Sequence, residues 1–194
     1  MAYACVCHFF IVILQRKIGT EIKRVVRILF VCHGNICRSP MAEYIFKHLV
    51  RQAGLEDRFE IASAGVSDEE DGNDIYLPAK LQLREHGIPY GPHKAHEMTR
   101  EEYEHFDKII CADRANLSYI PSIGHVDYDD VMEFYDPGEK ESLMMQWAGE
   151  ERDVSDPWYT RNFDAAYRDI HRACQAILNS YIREFEWREA CGEE

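Results

Sequence analysis

The chain has 194 residues, and its 22 Lys and Arg against 35 Asp and Glu give a formal charge of −13. That balance excludes a duplex nucleic-acid binder, which draws its affinity from cations set on phosphates, and it surrounds any phosphorylated ligand with a repulsive mean field. Hydrophobic residues at 46% and aromatics at 12% exclude a disordered chain, while seven cysteines, an odd number, exclude a closed disulfide framework and fit a reducing cytoplasm.

From the N-terminus, the stretch Ala2 to Leu14 is mostly apolar. It falls short of the roughly 20 residues that span a bilayer. It also lacks the basic start and small-residue cleavage site of a secretory signal. Three readings stay open: a membrane-associating or partner-binding segment, an extra element packed on the domain, or sequence upstream of the functional start. Residues 1–24 are therefore set apart as an extension, residues 25–188 as one domain and residues 189–194 as a tail. A membrane partner is not expected, and the oligomeric state is left open.

Val25–Val31 is an apolar, β-branched run, the pattern of a buried parallel strand. Ser39-Pro40 then reads as an N-cap with Pro at the first helical position. Met41, Ile45 and Leu49 follow at helical spacing, with Phe46 and Val50 beside them, and Gly54 is placed to end that helix. Phe59–Ser63 predicts a second strand, and Leu77–His86 a helix closed by Gly87. Thr99 to Glu102 has the form of a capping box and predicts a short helix to about Phe106. Asp107–Ala112 predicts a third strand. Asp113 is placed to cap a helix with Leu117 and Ile120 that Pro121 stops. Val131–Tyr135 predicts a fourth strand, and Leu143, Met144, Met145 and Trp147 a short packed helix. Arg161–Trp187 predicts a long terminal helix with Phe163, Tyr167, Ile170, Cys174, Ile177 and Tyr181 on one stripe. Strands alternating with helices predict an α/β domain with a four-stranded parallel sheet flanked by helices.

The chemical signal lies between the first strand and the first helix: Cys32-His33-Gly34-Asn35-Ile36-Cys37-Arg38-Ser39. A loop there can turn successive backbone N–H groups onto one anion, and the helix behind it adds the positive end of its dipole. Donors arranged in this way stabilise a thiolate at Cys32. The loop His33, Gly34, Asn35, Ile36, Cys37 would hold a phosphate, with Arg38 gripping two of its oxygens as a planar fork. Ser39 could donate to the sulfur. Gly34 is expected to supply a backbone geometry that other residues resist, and Asn35 tolerates a left-handed conformation. His93 and His96 are too few to hold a metal, and no metal or other cofactor is expected.

The segment ILFVCHGNICRSPMAE resembles the phosphate-binding loop of the low-molecular-weight protein tyrosine phosphatases. Ser63-Ala64-Gly65, His93 with Ala95, the run Phe106–Asp113, and Ser155-Asp156-Pro157-Trp158-Tyr159 are similar to that family in the same order, over about residues 26–185. The resemblance implies hydrolysis of phosphotyrosine through a phosphocysteine on Cys32. Arg38 would clamp the transition state and Asp156 would act as general acid and then base. It also implies that Asn35, Ser39 and His93 support the loop. Cys32 and Cys37 would be able to close as a reversible disulfide, the alternative being that Cys37 is a small buried side chain. Asp136-Pro137 is a second Asp-Pro pair, but the aromatic pair and terminal helix follow only Asp156.

The sequence departs from the pattern at the rim of the slot. Family members carry an aromatic after the Ser-Ala stretch, where this chain has Ser67-Asp68-Glu69-Glu70-Asp71. Glu69, Trp158 and Tyr159 are expected on the rim, facing a phosphotyrosine protein or another small phosphate monoester. Two other functions are compatible with parts of the pattern: a catalytically weak phosphate-binding module, and a thiol-coupled arsenate reductase, which needs further redox cysteines.

Overall fold

The computed structural model describes residues 24–123 and 140–192. The strands are β1 (Val26–Cys32), β2 (Phe59–Gly65), β3 (Lys108–Cys111) and β4 (Glu141–Leu143). The helices are α1 (Arg38–Gln52), α2 (Leu77–Glu85), α3 (Arg100–His105), α4 (Arg114–Ile123), α5 (Pro157–Thr160) and α6 (Phe163–Cys191). The four strands form one parallel sheet in the order β2-β1-β3-β4. Parallel strands must be covered on both faces, which is why β1 is apolar without a break from Ile28 to Cys32.

Alternation along β1 divides the core. Ile28, Phe30 and Cys32 face one cluster, built with Met41, Ile45 and Phe46 of α1 and Ile170, Cys174 and Ile177 of α6. Leu29 and Val31 face the other, with Met98, Phe106, Ile109, Cys111 and Ile120. The chain leaves β1 toward β2 on one side and reaches β3 on the other. The carboxyl end of β1 is thus the point where the winding reverses, where open α/β sheets bind ligands.

Several boundaries differ from the sequence expectation. The first helix begins at Arg38, so Ser39 lies inside it and caps nothing. Its hydroxyl is taken by the loop instead. The helix does end as expected: Gly54 adopts φ 68° and Leu55 N–H reaches back to Val50 O at 3.1 Å. Pro121 does not stop α4, which runs to Ile123; a proline removes a single N–H, and the last turn closes past it. The predicted strand Val131–Tyr135 lies outside the described residues, as do most of residues 1–24; the fourth strand described is Glu141–Leu143. Met144–Ala148 is a single 3₁₀ turn with Met144 and Met145 buried. The terminal helix starts at Phe163, because Asn162 caps it and Arg161 takes φ 58°, and it continues to Cys191. Among the described residues no helix is long and apolar enough to cross a membrane.

Candidate active site

Everything the loop needs is delivered by the ends of elements. β1 ends at Cys32, α1 begins at Arg38, and β2 ends at Gly65 beside Cys32 in register. A Cβ at Gly65 would sit 2.7 Å from His33 O and 3.1 Å from Ser67 O, both fixed backbone, so only glycine permits the loop to cross there. Gly34 does not have a left-handed backbone, contrary to expectation. Its reason is space, since a Cβ would lie 2.9 Å from Glu70 Cγ. The left-handed residue is Asn35, at φ 54°.

That strained residue is held from all sides. Asn35 Nδ2 donates to Ser39 Oγ and to Ser63 Oγ, each at 3.0 Å. His96 N–H donates to Asn35 Oδ1 at 3.3 Å, and His93 Nε2 donates to Asn35 O at 2.7 Å. Ser63 passes the chain on, donating to Glu43 Oε2 at 2.6 Å. All three of Asn35, Ser63 and Glu43 are buried, so the network is shielded from water and over-determines the turn.

The loop's carbonyls, apart from that of Gly34, are occupied, with Asn35 O taken by His93. Val66 N–H bonds Cys32 O and His33 O, Tyr76 N–H bonds Ile36 O, and Met41 N–H bonds Cys37 O. By contrast, no backbone N–H from Gly34 to Cys37 donates to a described protein group. Donors without protein acceptors around a cavity are the requirement for an anion nest.

Cys32 Sγ lies 3.0 Å from Ser39 Oγ, whose hydroxyl also donates to Ala64 O at 3.1 Å. Arg38 is 2% exposed. Its NH1 donates to Asp113 Oδ2 at 2.5 Å and to Val154 O at 3.2 Å, and its NH2 donates to Asp156 Oδ2 at 2.5 Å. Burial alone would lower the guanidinium's proton affinity, but Cys32, Asp156 and Asp113 outweigh it and push Arg38 above its ordinary value. Asp156 Oδ1 accepts from Trp158 N–H at 2.9 Å, so the same carboxylate caps α5. Burial, and then the neighbouring Cys32, pushes the Cys37 thiol well above its ordinary value, which keeps it protonated.

These groups open on a cavity of about 170 Å³ lined by Cys32, His33, Gly34, Ile36, Cys37, Arg38, Glu69, Glu70, Asp156, Trp158 and Tyr159. Every residue expected on the loop or rim lines it except Asn35, Ser39 and His93, which stand behind it as supports. His33 Nε2 pairs with Glu69 Oε2 at 3.2 Å on the rim. Asp136 lies outside the described residues. His93 and His96 make separate contacts, with Asn35 and with Glu102, and no metal-holding cluster occurs among the described residues.

Sequence reasoning missed Asp113, Glu43, Ser63 and Glu70. Asp113 stands in the sequence as a cap and as the end of the family-like run Phe106–Asp113, without a role at the site; it does cap, accepting at Oδ1 from Asn116 N–H at 2.7 Å. Its position directly after β3, on the ligand-binding edge of a parallel sheet, was the available signal. Glu43 and Ser63 lie in two of the family-like segments, but their contact depends on α1 and β2 meeting and has no local signal.

Comparison with known proteins agrees with this geometry. Residues 27–186 match the family model for low molecular weight phosphotyrosine protein phosphatase. The low molecular weight protein-tyrosine-phosphatase YfkJ of Bacillus subtilis is 34% identical over 160 residues, covering 82% of this chain and 97% of that protein. The low molecular weight phosphotyrosine protein phosphatase of Sus scrofa is 35% identical over 158 residues, covering 78% and 92%. The crystal structure of YfkJ superposes with a TM-score of 0.75 at 31% identity, covering 84% of this chain and 99% of that one. The match spans the loop, the sheet that carries it and the terminal helix, and the chain belongs to the low molecular weight phosphotyrosine protein phosphatase family.

Proposed function

We propose that the chain hydrolyses phosphotyrosine and other aryl phosphate monoesters by displacement at Cys32. The observation that carries this reading is the convergence of Cys32, Arg38 and Asp156 on one cavity, over a loop whose amides lack protein acceptors. The phosphate seats on those amides and on the free hydrogens of Arg38, whose remaining N–H groups are pinned by Asp113 and Val154 O. A dianion arriving there takes the place of Asp156 on NH2 and leaves its carboxyl facing the ester oxygen.

In the first step Cys32 Sγ attacks phosphorus, the S–P bond forms and the P–O bond to the aryl group breaks. Asp156 gives its proton to the departing oxygen, because a phenolate leaves less readily than a phenol. In the second step water attacks the same phosphorus, Asp156 takes its proton, and the S–P bond breaks to release inorganic phosphate and the Cys32 thiolate. The Ser39 hydroxyl, 3.0 Å from the sulfur, turns its one hydrogen from Ala64 O to the sulfur as charge returns. The equatorial oxygens stay on the amides and Arg38 throughout.

A thiol-coupled reductase needs further redox cysteines downstream of the loop that can reach Cys32. Cys111 pairs with Val31 on the neighbouring strand and packs with it on the opposite face of the sheet, away from Cys32, which argues against that chemistry. The test is steady-state hydrolysis of p-nitrophenyl phosphate under reducing conditions, with and without chelator, beside Cys32→Ser. Turnover that ignores the chelator and disappears in the variant is expected; turnover surviving in the variant contradicts the mechanism.

A further inference from the structure

The mouth of the cavity has two unlike walls. One is acidic, with Glu69 and Glu70 lining it and Glu69 side chain 72% exposed. The other is aromatic, with Trp158 and Tyr159. The aromatic wall continues beyond the mouth. The Trp158 ring packs on Tyr76, centroid to centroid 5.2 Å, and Tyr76 leads directly into α2. There Leu77 and Leu81 stand one turn apart on the same face, 61% and 40% exposed. The core face of that helix is a different one, carried by the buried Ala79 and Leu83. Among the described residues seven large hydrophobics are exposed, and four of them, Leu77, Leu81, Trp158 and Tyr159, belong to this strip. Exposed apolar surface gathered at one place marks a contact site.

The occupant follows from where the strip begins. A peptide whose phosphorylated side chain fills the cavity must cross the mouth, and an extended chain advances about 3.3 Å per residue. Residues next to the phosphotyrosine therefore meet Trp158 and then Leu77 on one flank and Glu69 on the other. A second copy of this chain is a poor occupant, because a charge of −13 on each copy opposes association.

We propose that Leu77 and Leu81, with Trp158 and Tyr159, form a docking strip for the protein substrate, seating an apolar residue on one flank of the phosphotyrosine while Glu69 and Glu70 favour a basic residue on the other. The inference rests on the phosphatase reading and deepens it by naming the substrate class.

The test compares p-nitrophenyl phosphate with phosphotyrosine peptides carrying Leu, Gly or Glu on one flank and Lys or Glu on the other, in both orientations. Leu77→Glu/Leu81→Glu should lower kcat/KM about tenfold for Leu-flanked peptides, the effect of removing one apolar anchor. It should leave p-nitrophenyl phosphate and Gly-flanked peptides unchanged. Glu69→Lys/Glu70→Lys should reverse the preference for Lys over Glu. Equal loss on all substrates, or none on Leu-flanked peptides, overturns the docking strip. An unchanged charge preference overturns the acidic half. A wild-type dimer that Leu77→Glu/Leu81→Glu dissociates assigns the strip to a second copy and overturns it as well. Binding of the same peptides to Cys32→Ser, read by fluorescence anisotropy, separates the two readings. Flank-selective binding without wild-type turnover keeps the strip and removes the phosphatase; turnover without flank selectivity does the reverse.

Discussion

Arg38, itself almost wholly buried, holds two carboxylates and a carbonyl. In the proposed mechanism Asp156 is the partner that leaves Arg38, while Asp113 stays and fixes the plane of the fork. Asp113→Asn keeps a side chain able to cap α4 but loses the charge that aims Arg38. The expected result is a kcat lower by about 10- to 100-fold, the scale of a misplacement near 1 Å, with thermal stability little changed. Steady-state kinetics beside an unfolding curve check both halves. At this scale the sequence was a partial guide. That Cys32, Arg38 and Asp156 would share one cavity was legible, because their spacing and neighbours are specific. Gly34 was misread because a glycine does not say whether its loop needs a dihedral angle or a gap; here Asn35 carries the angle and Gly34 the gap.

The elements act mainly by where they end. α3 is only six residues long, and its start is fixed by a reciprocal capping box between Thr99 and Glu102. Glu102 also holds His96, and the backbone of His96 holds Asn35 in the loop. The bond to Glu102 raises the His96 ring above its ordinary value. Burial opposes ionisation of Glu102, but His96 and Thr99 outweigh it and bring its carboxyl below the ordinary range. A raised histidine contributes stability that is present below about pH 6.5 and lost as pH rises through its folded value. A lowered carboxylate contributes stability that is present above about pH 4.3 and lost as pH falls through its folded value. Both are in force between those limits. His96→Asn should therefore cost more stability at pH 5.5 than at pH 8.5. Half-exposure and solvent screening hold the difference to about 0.5–1 kcal/mol, measurable by denaturant unfolding at the two pH values. Element identities were readable from periodicity and caps. The errors fell where a tertiary contact took the residue for another purpose, as the loop took the Ser39 hydroxyl from the helix start.

Across the molecule, the aromatic group around Phe59 and the candidate site lie at opposite ends of β2. Phe59 begins β2 and packs edge-on against Phe46 and Tyr181, with Phe185 beside them and Arg58 over its ring. Gly65 ends β2 at the loop, six residues on, or roughly 20 Å along the strand. Phe59→Ala should lower stability by about 3–5 kcal/mol through lost burial and the cavity left behind. The protein that remains folded should keep its specific activity, so melting temperature and kcat at low temperature should part company. The four-stranded parallel sheet was legible from alternating strands and helices, but its fourth strand was not found at Glu141–Leu143, where three residues carry too little pattern to be seen.

The central claim is a covalent phosphoryl group on Cys32. Asp156→Ala should slow both steps and let the intermediate accumulate on a substrate with a good leaving group. Rapid acid quench of that variant with p-nitrophenyl phosphate, followed by peptide mass spectrometry, should find one added phosphoryl group on the peptide containing Cys32 and none in Cys32→Ser. A phosphoryl group on another residue, or burst release of nitrophenol with no covalent adduct, would contradict the account.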